Sequence, residues 1–478
     1  MLPPLNLYNT LTHSKEAFIP RNPDQIGMYS CGPTVYSTPS IGNYRAFFTA
    51  DLIRNTLANL YDYPVKSIMN ITDVGHLTSD GDTGEDKLEK GAKKDGITAR
   101  EVASKYEKQF LDGLAQLNID KFDVMPRATD HISQQQVIVQ ALIDKGYTYI
   151  IDGDGIYMDT SRVEDYGELM GPNYKKRLEN LNAGERVNFT GKKNATDFAL
   201  WKFSPDDKVG EKRQMERDFP PYGMGFPGRH IECSAMSSEY LGQHFDIHHG
   251  GADHITIHHP NEIAQSESAF DIHHPDRRVR YRLHNEFLQV NGGKMSKSLG
   301  NVYTLSDLED KGFSPLDLRF FFFMAHYRTQ QNFTREALKQ AQTTRNNIQK
   351  KLSNYSYPLD QHIDRSSPLF IALTNSLADD LNTPKMLSTL NSSLSNLDQS
   401  TLSTIYRFEK NILKVGLFDS ISLLGQNDIP QSIIDLANQR LAAKKDKNFA
   451  LADQIRTQIG EQGFTITDTP DGFEITLD

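Results

Sequence analysis

The regular pattern nearest the start of the chain is a pair of short apolar runs separated by an amphipathic stretch, between residues 26 and 73. The run 26–31 ends at a Gly-Pro pair, as is typical of a buried strand, and the run 65–71 predicts the next strand. Between them, apolar residues recur at steps of three and four and predict a helix. They are Ala46, Ala50, Ile53, Leu57 and Leu60. Strand, helix and strand in this order predict an α/β fold with a parallel sheet, whose ligands bind beyond the carboxyl ends of its strands.

The pattern changes twice further along the chain. Residues 130–200 consist of short, turn-rich segments that are typical of an insertion. From about residue 314 glycine becomes sparse and helical periodicity dominates, and the last residues predict a compact β ending. The predicted helices are 334–352, 367–378, 384–398 and 430–460.

Length and composition limit the class of protein. A chain of 478 residues is too long for one core, so we expect two to four domains. No apolar run approaches a membrane span, and the start lacks the pattern of a signal peptide. The net charge of −10 argues against indiscriminate coating of nucleic acid but leaves room for a local basic surface. We expect a soluble, cytoplasmic chain.

The two cysteines, Cys31 and Cys233, are the first candidates for metal chemistry, because so few in a long chain indicate reduced thiols rather than a disulfide framework. His258 and Glu262 follow shortly after the second cysteine. Pro260 suits the first position of a helix, which would place Glu262 in the first turn and His258 just before it. Two thiolates, an imidazole and a carboxylate are ligands that zinc takes from proteins.

The choice of imidazole stays open at this point. Eight of the fifteen histidines lie between His244 and His274, and His248 and His259 compete with His258. The kind of metal site stays open as well. Four protein ligands are typical of a closed structural zinc, whereas a substrate-binding ion has to accept a fifth ligand.

The segment 292–301, here called the lysine loop, reads Gly-Gly-Lys294-Met-Ser-Lys297-Ser-Leu-Gly-Asn. Two lysines and two hydroxyls between flanking glycines favour a loop that closes on a transferring phosphate chain. The cations would neutralise charge that develops on a pyrophosphate leaving group. The alternative is an ordinary lysine-rich surface loop.

Taken together, these motifs resemble those of the class I aminoacyl-tRNA synthetases, and within that class the cysteinyl-tRNA synthetases. The match runs through nearly the whole chain, and it includes 7–10, 31–36, 69–73, 198–202, 227–228, 230–236, 245–248, 258–259, 261–266, 294–301, 315–319, 326–328 and 380–384. The resemblance implies a Rossmann-like catalytic domain with a parallel sheet, split by an insertion and followed by an α-helical bundle and a small anticodon-binding domain.

The resemblance also implies a division of the chain. The expected parts are the first half of the Rossmann catalytic domain (1–130), the connective insertion (131–200), the second catalytic half with the zinc site (201–285), the lysine loop with a stem-contact region (286–340), the helical bundle (341–420) and the C-terminal anticodon-binding region (421–478). A basic helix in the last part, with Lys444, Lys445, Lys447 and Arg456, is expected to contact tRNA phosphates.

The implied activity is that of a cysteine–tRNA ligase, which forms cysteinyl-adenylate from cysteine and ATP and passes the cysteinyl group to a tRNA end. One zinc ion per chain, held by Cys31, Cys233, His258 and Glu262, would bind the substrate thiolate. Serine and alanine cannot mimic a zinc–thiolate bond, so no editing domain is needed. We expect a monomer, with magnesium accompanying ATP.

The remaining site residues are assigned by resemblance alone. The expected nucleotide contacts are Thr34, Ser40, Gly42, Asn43 and Lys297, and catalysis is expected from Lys294, Lys297, Ser40 and Asn43. Thr72, Arg229 and His248 are expected around the amino acid.

Two of these positions depart from the family pattern. The His-Ile-Gly-His signature appears as Ser40-Ile-Gly-Asn43, and the missing first imidazole puts the adenylation rate in question. Arg229 stands where many members have tryptophan, and it could meet either the substrate carboxylate or the phosphate.

Two alternatives remain. A cysteine-activating ligase of the mycothiol type would share the zinc and nucleotide sites but would not need residues 340–478. A catalytically degenerate, tRNA-binding paralogue is suggested by Ser40, although the intact lysine loop argues against it.

Overall fold

The computed structural model describes residues 2–74, 96–176, 191–204, 216–295, 300–353, 355, 365–419, 431–446, 448–462, 464–469 and 472–477. The chain divides into two compact units, each treated by itself below. The first comprises residues 1–342 and 371–389, and the second comprises residues 343–370 and 390–478.

The strands of the described residues are β1 (Asn6–Asn9), β2 (Ser14–Ala17), β3 (Ile26–Ser30), β4 (Val65–Met69), β5 (Thr148–Ile151), β6 (Gly155–Met158), β7 (Phe198–Phe203), β8 (Arg217–Asp218), β9 (Met224–Pro227), β10 (Phe245–Gly251), β11 (Val279–Asn285), β12 (Leu288–Val290), β13 (Gly293–Lys294), β14 (Gln331–Phe333), β15 (Phe464–Thr469) and β16 (Gly472–Leu477).

The α-helices are α1 (Ile41–Asn55), α2 (Ala99–Gln116), α3 (Ile132–Asp144), α4 (Ile231–Leu241), α5 (His258–Phe270), α6 (Leu305–Glu309), α7 (Pro315–Phe323), α8 (Arg335–Leu352), α9 (Pro368–Ala378), α10 (Thr383–Ser393), α11 (Gln399–Phe408), α12 (Gln431–Lys445) and α13 (Phe449–Glu461). None of the helices in the described ranges is long and apolar enough to cross a membrane.

A parallel sheet of the order β11-β10-β3-β4 forms the centre of the first unit. Helix α1 connects β3 to β4, so the predicted strand–helix–strand unit is confirmed. All five residues of β3 are buried, as expected for a strand covered on both faces. The carboxyl ends of β3, β4 and β10 lie side by side, and this edge of the sheet carries the site described below.

A second, antiparallel sheet of the order β5-β6-β7-β9-β8 lies in the same unit. It extends from Thr148 to Pro227, so a domain boundary between residues 200 and 201 would cut β7. Close approach of the strands requires glycine at position 225, since a Cβ there would lie 2.3 Å from the carbonyl oxygen of Lys202. The folded insertion is therefore longer than its turn-rich part.

The helices of the C-terminal half follow the sequence pattern with three differences. The helix predicted over 384–398 ends at Ser393. The prediction of one helix over 430–460 is wrong, because α12 and α13 are separate helices. Asn448 begins the second of them, and its side chain accepts a hydrogen bond from the Leu451 amide. Helix α11 was not predicted. The β ending is confirmed as the antiparallel pair β15–β16, which belongs to the second unit.

The C-terminal part of the second unit has a core of its own. Its buried members are Ile433, Ala437, Ile455, Ile459, Phe464 and Ile466, contributed by α12, α13 and β15. This core allows the end of the chain to fold around its own contacts.

Asp380 joins distant parts of the first unit. Its carboxylate is 1% exposed, and it accepts hydrogen bonds from the Tyr8 amide at 2.8 Å and the Tyr327 hydroxyl at 2.7 Å. Arg328 pairs with the second oxygen at 2.7 Å. The backbone of Asp380 and Leu381 is left-handed, with φ of 59° and 55°, a conformation that costs free energy and that this network stabilises.

Candidate functional site

Four potential metal ligands converge beyond the carboxyl end of β3. The ligand atoms of Cys31, Cys233, His258 and Glu262 all lie within 4.8 Å of one another. Cys31 directly follows β3, Cys233 lies in the first turn of α4, and the other two lie on α5. The imidazole Nε2 of His258 is 3.6 Å from the Cys233 sulfur and 2.8 Å from the Glu262 carboxylate. This cluster is called the thiol cluster below.

The start of α5 corrects one detail of the sequence analysis. The helix begins at His258, not at Pro260, so both Pro260 and His258 lie in its first turn. Proline is tolerated there because the first four amides of a helix have no intrahelical partner. His258 and Glu262 are consequently four residues apart on one face of the helix, which directs both side chains to the same point.

A second set of ligands overlaps the first. Cys31, His248, His259 and Glu262 also bring their ligand atoms within 4.8 Å of one another. The Nε2 atoms of His248 and His259 are 3.0 Å apart, and His259 Nδ1 is 2.8 Å from His284 Nε2. The two histidines that competed with His258 in the sequence therefore adjoin it in space. The thiol cluster differs in using both sulfurs of the chain.

The electrostatics of the thiol cluster favour a bound cation. Burial raises the pKa of the Cys31 thiol, and contact with that thiol together with burial raises the pKa of Cys233 well above its usual value. Burial lowers the pKa of His258, but Glu262 and Cys233 outweigh it and raise the pKa to about 10. Removing the protons from these groups leaves an excess of negative charge. Two sulfurs, an imidazole nitrogen and a carboxylate oxygen suit a divalent ion such as Zn²⁺.

Thr72 lies beside the thiol cluster in a short chain of hydrogen bonds. The backbone amide of Gly32 donates to Asn70 Oδ1 at 2.8 Å, and Asn70 Nδ2 donates to the Thr72 hydroxyl at 3.0 Å. The Thr72 hydroxyl in turn donates to Glu232 Oε2 at 2.8 Å. Glycine is required at position 32, because a Cβ there would lie 1.7 Å from the Asn70 carbonyl oxygen.

The other two residues expected around the amino acid also lie near the thiol cluster. His248 is buried, its ring stacks on Tyr29 with centroids 5.2 Å apart, and its Nε2 is 3.2 Å from Glu262 Oε2. Arg229 is half-buried, and its Nε is 3.5 Å from Nε2 of His230.

The turn before α1, here called the nucleotide turn, contains the residues expected to contact ATP. Ser40 is the N-cap of α1 and forms a capping box with Asn43, whose amide donates to the Ser40 hydroxyl and whose side chain accepts from the Ser40 amide. A Cβ at Gly42 would lie 3.4 Å from Met295 of the lysine loop. Thr34 pairs with Thr72 through a backbone bridge. A helix start of this kind can bind a phosphate.

The lysine loop is described only in part. Lys294 lies in β13, where it pairs with Gln289 of β12, whereas Lys297 lies outside the described residues. Lys447, one of the basic residues expected to contact tRNA, lies outside them as well. The described site residues thus form two groups, one around the thiol cluster and one at the nucleotide turn, and Lys294 lies in a different sheet from the strands that carry them.

Sequence reasoning missed three residues of this region. Asn70 and Glu232 lie in motifs that carried the resemblance, but no role was assigned to them. Arg45 on α1 is buried and donates to the carbonyl oxygens of Glu286, Phe287, His326 and Thr329. Arg45 thus ties α1 to the segment before the lysine loop. The available signal was a charged residue on the apolar side of a predicted helix.

Comparisons with known proteins agree with this geometry. Residues 17–343 match the model of the tRNA synthetases class I (C) catalytic domain. Cysteine–tRNA ligase 1 of Burkholderia lata is 42% identical over 475 residues, covering 98% of this chain and 96% of that protein. The cysteine–tRNA ligase of Treponema denticola is 39% identical, covering 97% and 98% respectively.

Solved structures extend the likeness to the fold. Methionyl-tRNA synthetase of Mycobacterium tuberculosis, in complex with methionyl-adenylate, superposes with a TM-score of 0.58 at 16% identity, over 85% of this chain and 95% of that one. Fold and site thus define a class I aminoacyl-tRNA synthetase, a ligase that uses ATP, an amino acid and tRNA. Within this class, the chain belongs to the family of the cysteine–tRNA ligases.

Proposed function

We propose that the chain activates cysteine with ATP and transfers the cysteinyl group to tRNA(Cys). The observation that carries this proposal is the convergence of Cys31, Cys233, His258 and Glu262 beside the nucleotide turn. A site that combines a soft-metal donor set with a phosphate-binding helix start suits a thiol-containing amino acid. The names and near-complete coverage of the relatives support the same substrate.

The four residues of the thiol cluster would hold one zinc ion. When bound, the ion would supply a coordination position for the substrate thiolate, because zinc binds thiolate sulfur strongly. Cys31 and His258 are only half-buried, which leaves one side of the cluster open to a fifth ligand. The chain's own contribution is to orient these donors. A competing substrate such as serine has no thiolate and would not form an equivalent bond to the ion.

Adenylation requires in-line attack of the substrate carboxylate on the α-phosphorus of Mg-ATP, with release of pyrophosphate. The start of α1, with Ser40 and Asn43 fixed in the capping box, would position the phosphates. Lys294 and Lys297 would stabilise the charge on the leaving pyrophosphate. Catalysis would then be mostly positioning and electrostatics. In the second step, a terminal ribose hydroxyl of the tRNA takes the cysteinyl group and AMP leaves.

Substrate contacts are proposed for Thr72, His248 and Arg229. Arg229 lies at the edge of the thiol cluster, and a guanidinium is suited to pair with a carboxylate. We assign it to the substrate carboxylate rather than to a phosphate. Cysteamine, which has the thiol and the amine but no carboxylate, tests this assignment. Arg229→Gln should weaken the binding of cysteine about 10-fold or more and leave the binding of cysteamine unchanged. An equal loss for both would refute the assignment.

The second unit supports tRNA as the partner. Helix α12 carries Lys444 and Lys445 in its last turn, and Arg456 lies on α13. A ligase of the mycothiol type would have no need of this unit, so the proposal favours tRNA. We further propose that the chain acts as a cytoplasmic monomer, with the division given above except that the insertion extends to the end of β9 at Pro227.

The decisive experiment is ATP–pyrophosphate exchange dependent on cysteine, followed by charging of tRNA. Exchange with charging supports the proposal, exchange without charging favours the mycothiol-type ligase, and neither indicates a degenerate paralogue. Cobalt in place of zinc reports on the thiol directly. Cysteine should intensify the sulfur-to-cobalt charge-transfer band and serine should not, and a spectrum indifferent to saturating cysteine would refute the receptor role.

A further inference from the structure

Glu232 is a buried acidic residue beside the thiol cluster, and the proposed chemistry gives it no role. It lies in the first turn of α4, next to Cys233, and is 1% exposed. Its Oε2 accepts the hydrogen bond of the Thr72 hydroxyl at 2.8 Å. Its Oε1 is buried and has no hydrogen-bond partner within the described part of the chain. A buried carboxyl oxygen without a hydrogen-bond partner costs free energy unless another group compensates it.

The hydrogen bonds around Thr72 determine which way its hydroxyl points. Asn70 Oδ1 accepts from the Gly32 amide, so the Asn70 amide group must point its nitrogen towards Thr72. The Thr72 oxygen therefore accepts one hydrogen bond from Asn70 and gives its only proton to Glu232. A hydroxyl has one proton and two lone pairs, so one lone pair is left. Towards any further partner, Thr72 can act only as an acceptor.

The remaining lone pair of the Thr72 hydroxyl lies where the amino group of a bound cysteine is expected. Asn70 Oδ1 is 3.9 Å from the Cys233 sulfur, and the Thr72 backbone pairs with the residues that follow Cys31. The amino nitrogen of cysteine is three covalent bonds from its sulfur. A thiolate held at the thiol cluster therefore brings an ammonium group, which only donates hydrogen bonds, to the neighbourhood of Thr72.

We propose that Glu232 is a positioning residue, which orients the Thr72 hydroxyl as the acceptor for the substrate ammonium group. This inference rests on the proposed function, because it assumes that a thiol substrate occupies the adjoining cluster. The network selects an α-amino thiol over a thiol that lacks the amine.

A pair of thiols tests the inference on the zinc-loaded protein. Cysteine and 3-mercaptopropionate share the thiol and the carboxylate, but only cysteine has the amine. Glu232→Met, which removes the acceptor for the Thr72 proton, should weaken cysteine binding about 10- to 100-fold, as measured by titration calorimetry, and change 3-mercaptopropionate binding less than about 2-fold. Thr72→Val should give the same selective loss, and Thr72→Ser should recover most of it. Glu239→Met, on the exposed side of α4, is the matched control.

The outcomes separate a positioning role from a structural one. An equal loss of binding of both thiols in Glu232→Met, or no loss for either thiol, would overturn the inference. Should that variant fail to fold, as judged by its melting temperature, Thr72→Val decides in the same way. Failure of the parent protein to bind either thiol would instead refute the thiol receptor itself, and with it the proposed function.

Discussion

The thiol cluster and the nucleotide turn lie at the same edge of one parallel sheet, yet they are built differently. In the thiol cluster, Cys233 and Glu262 are buried, and two overlapping ligand sets crowd around them. In the nucleotide turn, Asn43 is exposed and Ser40 half-buried, and their side chains bond mainly to each other. Burial thus fixes the donors of the thiol cluster, whereas the nucleotide turn presents a helix start with partly exposed side chains.

This difference corresponds to the two tasks. Recognition of a thiol against a hydroxyl needs donors held in fixed geometry by burial, because selectivity comes from a bond that only sulfur forms well. Phosphate transfer needs charge placed where it develops, and long side chains near a helix start can adjust to it. Mutations should therefore be most severe in the thiol cluster and mildest in the nucleotide turn.

The largest effect is expected from Cys233→Ser. Loss of one thiolate should release the metal and reduce cysteine-dependent pyrophosphate exchange by on the order of 10³-fold or more. Metal content by mass spectrometry and the exchange rate are the two measurements. Retention of stoichiometric metal with normal exchange would show that the two sulfurs do not form one site.

A matched pair of histidine variants decides between the overlapping ligand sets. His258→Gln should lose the metal, whereas His259→Gln should keep it and lose only about 10- to 100-fold in metal affinity, as is typical of residues that support a ligand. The reverse result would assign the metal to the set with His248 and His259.

On the phosphate side, Lys297→Ala should slow adenylate formation by on the order of 10²-fold while leaving the melting temperature unchanged. The control is Lys311→Ala, which removes the same charge from an exposed lysine outside the lysine loop. Pre-steady-state measurement of the adenylate distinguishes the two variants. Equal rates in both would mean that Lys297 is an ordinary surface residue.

The second unit extends the comparison to RNA. Lys444→Ala combined with Lys445→Ala should raise the KM for tRNA about 10-fold and lower the salt dependence of binding by about two counterions. Deletion of residues 421–478 should have the stronger effect on charging, since it removes a part with its own core. Pyrophosphate exchange serves as the internal control. Undiminished charging by the deletion variant would contradict the tRNA contact.

The smallest effect is expected from Ser40→Ala. Loss of the N-cap should lower the free energy of unfolding by about 1 kcal/mol, and exchange should fall less than about 10-fold. Ser40→Gly should cost only a few tenths of a kcal/mol. A loss of about 100-fold in exchange, at unchanged stability, would instead place the Ser40 hydroxyl on the transferring phosphate.

The sequence predicted those parts of the molecule in which neighbours in the chain remain neighbours in space. The strand–helix–strand unit could be read from periodicity. Residue type and spacing indicated Cys31, Cys233 and Glu262, whereas the choice of His258 among the histidines came from the resemblance. The break between the two helices at Asn448 was not predicted, because one polar residue in a long helical pattern is only a weak signal of a helix cap. The start of α5 was placed two residues late, since proline is tolerated throughout a first turn.

The pairing of strands that are distant in the sequence could not be predicted from local patterns. The sheet of the insertion pairs β6 with β7 and β7 with β9, and no local pattern specifies those partners. The same holds for Glu232, whose role depends on a hydrogen bond to Thr72, 160 positions away in the chain. The second set of possible metal ligands was not predicted for a related reason. Spacing in the sequence does not determine which of several histidines face the same point.

The contact between Asp380 and Tyr8 has a consequence for how the protein is made. The two residues are 372 positions apart, and at about 5–20 residues per second the ribosome needs roughly 20–70 s to add the later one. Throughout that time the Tyr8 amide, and the Asn6 carbonyl that accepts from the Asp380 amide, lack their final partners. A translational pause just before residue 380 should therefore prolong the exposure of an unfinished catalytic unit to chaperones and proteases, whereas the same pause after residues 371–389 have left the ribosome should not.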